Sequence, residues 1–482
     1  MDFLTDLART PKPEDFPYGP GRAKYVKFAE GDIGVGVPKI FFEDPHQHNP
    51  KPGPKGQIHQ WGLSPYGTGS KYVEEDSNYP AGDDMITSMQ RKMTTQMSYG
   101  GPGQLQTPEK QFVEVLVERK KKQLESLNLD NLPKRDVIIT IRLHLLNDKT
   151  GAPRIYRRFR VSAGIRLNVF QDKIVAPIMG WTRNLHAYTF TDFRDGSLFG
   201  PEESRHIDMV YLDGHGYDYL PDNKYMLAHL FSKEGDEIGY LYDFGDRWYH
   251  EMKLKKCPFR QIEKILDIDS SDGEVRIIEG RGMCPGENLH GVHGFREFID
   301  KYENEGDYRK KQEQKREILG TPNYKSYHKP ASLFDPFSFD MEWTQKLLNE
   351  ALASPTSIPS GARSFKMPMR PDALDPTTWD DPTKAGKKLK KGQAIVREFD
   401  TEQDGLSGML AKMGMGGHWE ETVHTQRDKR AQTVCAMCGK PGGQELKQCS
   451  GCKRVLYCSR DHQRAHWKSH HKKQCTKEYI GK

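Results

Sequence analysis

The chain has 482 residues, a formal net charge of +6 and only 35% hydrophobic content, with 45 Gly and 30 Pro. That length allows roughly two to four domains, while so little apolar material and so much Gly and Pro exclude compact structure throughout. No run of eighteen apolar residues is present, which excludes a helical membrane span; Met1–Asp6 lacks the basic and apolar regions of a secretory signal, so an intracellular protein is expected, cytoplasmic or nuclear.

Residues 1–105 are rich in Pro, Gly, Asp and Tyr and nearly without periodicity, and are read as a mostly disordered arm. His46, His48 and His59 fall among prolines with no cysteine nearby, so solvent-exposed histidines are expected there rather than a metal site. Residues 106–135 form a helix and a linker. Phe112, Val115, Leu116 and Leu124 recur near helical spacing, and the basic run Arg119–Lys122 reads as a solvated face.

A central α+β domain is expected over residues 136–303. In Val137–Leu145 every odd position is apolar, as in a half-buried strand. Gly151-Ala152-Pro153 turns the chain into a second strand, Ile155–Val161, with Arg154, Arg157, Arg158 and Arg160 on or beside it. Leu167, Phe170, Ile174 and Ile178 mark a helix ending at Gly180, a suitable residue for a left-handed cap. Further strands are expected near 187–193, 207–212 and 226–231.

The run Tyr240-Leu241-Tyr242-Asp243-Phe244-Gly245-Asp246-Arg247-Trp248-Tyr249-His250 reads as a hairpin. Trp248, His250, Met252 and Leu254 share one face of its return strand, so His250 points where apolar side chains point. Two accounts follow: a buried histidine held by a turn aspartate, or a working His/Asp site built from His186, Asp243, Asp246 and His250.

These residues carry a resemblance. The Arg157-Arg158 strand, Gly180-Trp181, Leu185-His186, the Tyr-Asp-Phe-Gly-Asp run through His250, Cys284-Pro285-Gly286-Glu287 and Gly291-x2-Gly294-Phe295 resemble the plasmid pRiA4b open-reading-frame-three-like domain. The resemblance implies an α+β fold and no secure activity. It departs where the family's Pro-Glu-Asp-x-Gly-Gly stands here as Gly286-Glu287-Asn288-Leu289-His290-Gly291.

Residues 304–432 are expected to be a charged, exposed helix followed by a Pro-rich linker. One amphipathic helix, carrying Phe339, Met341, Trp343, Leu347 and Leu348, would dock on the central domain. Lys387–Lys391 reads as a linker charge cluster with a nuclear signal as the lesser reading, and Met409, Met413 and Met415 suggest an adaptable binding element.

Six of the eight cysteines lie between Cys435 and Cys475. Cys435-x2-Cys438 and Cys449-x2-Cys452 have the spacing of metal ligands, because two intervening residues let a tight turn aim both sulfurs at one ion. With Cys458, His462, His470 and Cys475 they supply eight ligands, enough for two closed structural zinc sites. So short a segment buries too little to fold alone, and Leu456, Tyr457 and Trp467 are nearly its whole expected core. Zinc contributes on the order of 10–16 kcal/mol in comparable fingers. From Cys435 onward eleven Lys and Arg face three Asp and Glu, a charge that suits an acidic peptide, nucleic acid or simple solubility.

Together with Tyr457-Cys458-Ser459, His462-Gln463 and Trp467-x2-His470, these residues resemble a MYND-type zinc finger over residues 433–478. The resemblance implies interleaved sites: Cys435, Cys438, Cys458 and His462 for one zinc, Cys449, Cys452, His470 and Cys475 for the other. The family's commoner three-residue gap before the last cysteine would favour His471. The gap from His462 and the Trp467-x2-His spacing favour His470, which leaves His466 and His471 as exposed helix positions.

The resemblance also implies binding of short, often proline-containing segments of partner proteins, and hence an intracellular adapter. The alternatives are an enzyme on the central His/Asp residues and a nucleic-acid binder using the arginine strand and the finger. MYND fingers also occur in SET-type lysine methyltransferases, but the Asn-His-Ser-Cys-like motif of those enzymes is absent, and no phosphate-binding glycine loop is present. Cys257 and Cys284, isolated beside prolines, read as structural.

Overall fold

The computed structural model describes residues 46–47, 108–129, 132–183, 185–186, 188–201, 220–243, 246–255, 272–354, 434–443, 445–453 and 455–475, together with strand segments 363–366, 394–398 and 418–423. The N-terminal arm apart from the exposed His46 and its neighbour, the strand expected at 207–212, Cys257, Lys387–Lys391 and Met409–Met415 lie outside the described residues.

Helix α1, Pro108–Glu125, leads into an eight-stranded sheet of order β5-β4-β3-β6-β7-β1-β2-β8. Its strands are β1 Asp136–Leu143, β2 Tyr156–Ser162, β3 Tyr188–Asp192, β4 Leu198–Gly200, β5 Leu220–Pro221, β6 Glu237–Tyr242, β7 Trp248–Lys255 and β8 Arg276–Arg281. All neighbours are antiparallel except β4 and β5. The β6–β7 hairpin has the expected register, with Tyr240 opposite His250 and Tyr242 opposite Trp248. Leu145 adopts a positive φ and is exposed, which ends the first strand before the apolar alternation does.

The expected helix to Gly180 forms as α2 over residues 167–179, with a π-helical stretch at Gln171–Val175 between two α-helical turns. Gly180 caps it at φ 99°, where an added Cβ would lie 2.8 Å from Cys284 Cβ. The extra residue of the π turn puts Gln171, Asp172 and Lys173 inside along with the apolar positions. Burial lowers Lys173 to about 7, and its Nζ donates to Ala351 O at 3.2 Å and Ser354 O at 2.6 Å.

Several expectations change. Residues 226–231 are not a strand: Leu227–Leu230 is a short helix, α3, buried at Leu227, Ala228 and Leu230. An apolar run this short carries no period that separates strand from buried helix. Lys120 is not on a solvated face, because it is buried and bonded to Asp192 at 3.0 Å and Asp195 at 2.6 Å. The charged stretch near 300–318 is two helices, α4 Gly291–Asn304 and α5 Tyr308–Leu319, the second N-capped by Asp307.

The core continues past residue 303. Tyr324, Phe334 and Trp343 are buried, with the Tyr324 and Trp343 rings stacked at 5.2 Å. Helix α6, Met341–Ala353, docks as expected, sealing Trp343, Leu348 and Leu352 against the same cluster as the sheet. Beyond it β9 Arg363–Lys366, β10 Ala394–Glu398 and β11 His418–Val423 form a small antiparallel sheet of order β10-β11-β9, where a linker was expected.

The C-terminal segment is not held apart from the domain on a tether. Val434 is buried in the central core, and the Val275 amide donates to Cys438 O at 2.8 Å. Gly439, at φ 76°, sits so close that a Cβ would lie 2.6 Å from Val275 Cγ2 and 3.2 Å from Leu352 Cδ2.

Candidate metal centre and the central aromatic site

The finger begins with two knuckle turns and the strand pair β12 Lys447–Gln448 and β13 Leu456–Tyr457. Ser459 then caps helix α7, Arg460–His466, by accepting from the His462 amide at 3.1 Å. A π-helical turn, Trp467–His471, continues it into the last turn, α8 Lys472–Gln474.

This geometry gathers two groups: Cys435, Cys438, Cys458 and His462, and Cys449, Cys452, His471 and Cys475, each with its ligand atoms within 4.8 Å of one another. In the first, Cys438 and Cys458 sulfurs are 3.7 Å apart, and His462 Nδ1 lies 3.8 Å from Cys435 and 3.0 Å from Cys458. In the second, Cys449 and Cys475 sulfurs are 3.9 Å apart, and His471 Nε2 lies 3.4 Å from Cys449 and 3.5 Å from Cys452. A tetrahedral ion with Zn–S near 2.3 Å and Zn–N near 2.0 Å requires edges of about 3.8 Å between sulfurs and about 3.5 Å from sulfur to nitrogen. The clusters fit two zinc ions. Sulfurs this crowded resist ionising together: the contact with Cys435 holds the Cys438 thiol well up, and burial raises Cys475 to about 11. A divalent cation at each centre relieves that repulsion.

The structure differs from the sequence reading at one ligand. His471, not His470, enters the second group; His470 is exposed. The cause is the π turn, whose additional residue rotates the chain by one position relative to an α-helix. It also moves Trp467 outward, 41% exposed, instead of into the finger's core. His466 is buried rather than exposed. Burial lowers it to about 4, and its Nδ1 is hydrogen-bonded with the Tyr457 hydroxyl at 2.9 Å. Cys435, Leu446, Val455 and Tyr457 form the actual core.

Residues 435–475 match the family model of the MYND finger. The C-terminal module is a MYND finger. Residues 138–343 match the model described as plasmid pRiA4b ORF-3-like protein, which extends over α4, α5 and the first residues of α6. The uncharacterized protein y4hQ of Sinorhizobium fredii (strain NBRC 101917 / NGR234) is 31% identical over 149 residues, 31% of this chain and 66% of that protein. The chain thus spans just under two thirds of that relative's length. A solved protein of unknown function from Methanosarcina mazei Go1 aligns over 43% of this chain and 96% of its own at 19% identity, with a TM-score of 0.29. MYND fingers mediate protein–protein interaction, and no helix among the described residues is long and apolar enough to cross a membrane.

In the pRiA4b-like domain the four residues of the alternative His/Asp reading do not form one group: His186, Asp243 and Asp246 meet, while His250 makes its hydrogen bonds elsewhere. His250 is fully buried, and its partner is no aspartate: Trp181 Nε1–H donates to Nε2 at 3.2 Å, leaving Nδ1–H to donate to Tyr240 O at 3.2 Å. Burial lowers its pKa to about 3, so the ring is neutral with both nitrogens engaged. Trp181 stacks on Tyr242 at 4.9 Å and packs against Trp248 at 5.3 Å, closing the ring in. His186 Nε2 instead lies 3.4 Å from Asp243 Oδ2, nearer the surface, while the Asp246 amide donates to Asp243 Oδ1 at 3.2 Å.

Glu287 supplies the main polar anchor. Its buried carboxylate accepts from the Thr182 amide and hydroxyl, each at 2.7 Å, and from the Tyr242 hydroxyl at 2.8 Å. Next to it Asn288 and His290 adopt positive φ angles of 62° and 59°, at the positions where the chain departs from the family pattern. The arginine strand is likewise consumed internally. Arg157 is buried and donates to Ile178 O at 3.1 Å and Arg281 O at 2.7 Å, its guanidinium lying 4.1 Å over the Phe339 ring. Arg158 pairs with Glu279 at 2.9 Å, and Arg160 with Asp272.

Proposed function

We propose that the protein is an intracellular zinc-stabilised adapter whose MYND finger binds segments of partner proteins while seated on the pRiA4b-like domain. Cys435, Cys438, Cys458 and His462 hold one zinc; Cys449, Cys452, His471 and Cys475 hold the other. The carrying observation is that both clusters supply four protein ligands, which suits structural zinc, whereas catalytic zinc keeps a position open for water or substrate. Exposed Met437 and Trp467 offer the finger apolar contact surface outside the metal groups. The test is affinity capture on zinc-loaded full-length protein, comparing wild type with Cys449→Ala. Partners lost with the variant belong to the finger; if every partner ignores both Cys449→Ala and chelation, the adapter reading falls.

A second reading, an enzyme, has the His186–Asp243 contact in its favour, with the His186 side chain 15% exposed. Against it stands the separation of this pair from sealed His250. The nucleic-acid reading loses the arginine strand to internal pairing and keeps only the finger's basic charge.

A further inference from the structure

Between helix α6 and the finger runs a cleft of about 1120 Å³ that neither module forms alone. One wall is the face of α6 from Met341 to Ser354, about 20 Å long at 1.5 Å per residue. The other is the finger, through Met437, Val455 and His470. Met341 and Met437, 38% and 40% exposed, contribute to it from opposite walls. Thioether side chains adapt to irregular apolar partners.

A trough this long takes about six residues of extended chain, at roughly 3.3 Å each. The α6 wall has polar groups suited to such a chain. Gln345 Nε2 donates to Asn349 Oδ1 at 2.9 Å, so the pair still offers an amide oxygen and an amide N–H, the complement of a peptide unit. Its charge is the reverse of the protein's: Asp340 and Glu342 share the single cation Lys329 at 2.5 and 3.9 Å, Glu350 offsets Lys346, and the finger wall adds no carboxylate, in a chain of net charge +6.

We infer that the cleft binds an extended partner segment of apolar residues carrying a Lys or Arg, gripped by α6 and the finger together. Apolar side chains enter between Met341 and Met437, the backbone meets the Gln345–Asn349 amides, and the cation sits beside Glu350. The inference rests on the finger's being a partner-binding module; it adds a second wall and specifies the ligand's charge, which the basic finger by itself would set the other way.

The test is selection of phage-displayed random octapeptides on zinc-loaded full-length protein, followed by fluorescence polarisation of the recovered peptide. The expected consensus is an apolar core with a basic residue. Met437→Ser, Met341→Ser and Glu350→Lys should each weaken binding by about tenfold or more, with zinc content and circular dichroism unchanged. An acidic or uncharged consensus would overturn the inference. So would binding that responds to Met437→Ser but ignores both α6 substitutions, an outcome that leaves the finger a binding module in its own right. Failure to recover any zinc-dependent peptide would overturn both readings.

Discussion

The indole N–H of Trp181 donates to Nε2 of His250 across 3.2 Å, and this contact fixes the histidine's tautomer in the middle of the sheet's aromatic face. It joins the turn after α2 to strand β7 and makes His250 a structural acceptor that must stay uncharged.

That requirement sets an acid dependence. His250 protonates near 6.5 when unfolded but only near 3 when folded, so its contribution is fully present above about pH 6.5 and is lost as pH falls through 3. The shift is worth up to about 5 kcal/mol in order of magnitude. His250→Gln keeps an acceptor for Trp181 and a donor for Tyr240 O but does not titrate. Urea unfolding across pH 6.5 to 3 should therefore show a flatter acid limb in the variant, and parallel limbs would contradict a neutral buried His250.

The ligand exchange in the finger is open to a direct test. His471→Ala should leave about one zinc per chain by elemental analysis, while His470→Ala should retain both. The reverse result would restore the α-helical spacing and remove the π turn's role.

Docking of the finger predicts communication across its seam. Val434→Asp puts a carboxylate into the central core at a cost of about 3 kcal/mol. Zinc content should survive, but the Val275 amide, which donates to Cys438 O, should lose protection from hydrogen exchange. Unchanged protection would mean that the seam does not hold in solution.

Residues 320–354 should unfold together with the sheet, because Tyr324, Trp343 and Leu348 share its hydrophobic core and Asn323 Nδ2 donates to Gly180 O at 3.2 Å. Trp343→Ala should cost about 3–5 kcal/mol and lower the single unfolding midpoint of the central domain. A loss confined to α6, with the sheet's midpoint unmoved, would make that helix an appendage.

What the sequence disclosed follows from how local each signal is. The β1 alternation, the β6–β7 hairpin and Gly180 as a cap are set by neighbours in the chain, and all three appear, with β1 ending at Leu143, short of the expected Leu145. The eight-ligand pattern is also local; the structure gathers His471 in place of His470, where a π turn changes the period without leaving a mark in residue type. Lys120 reads as part of a solvated face because its acceptors, Asp192 and Asp195, lie far along the chain, and the burial of Arg157 and Lys173 against Arg281 O and Ser354 O has no local signal either. The docking of α6 is legible in its own apolar stripe of Trp343, Leu347 and Leu348, whereas the burial of Tyr324 and Phe334 before it is obscured by the prolines and charges around them. The alternation puts His250 on the inner face, but its partner Trp181 is 69 residues away and carries no local signal.

The seam between Gly439, Val275 and Leu352 has a consequence for the protein's fate when metal is scarce. The knuckle that grips an ion is also the lid on one end of the neighbouring hydrophobic interior, so stripping zinc should uncover greasy surface there and make the chain prone to clumping. Supply of the metal would then govern how much of this protein persists in soluble form.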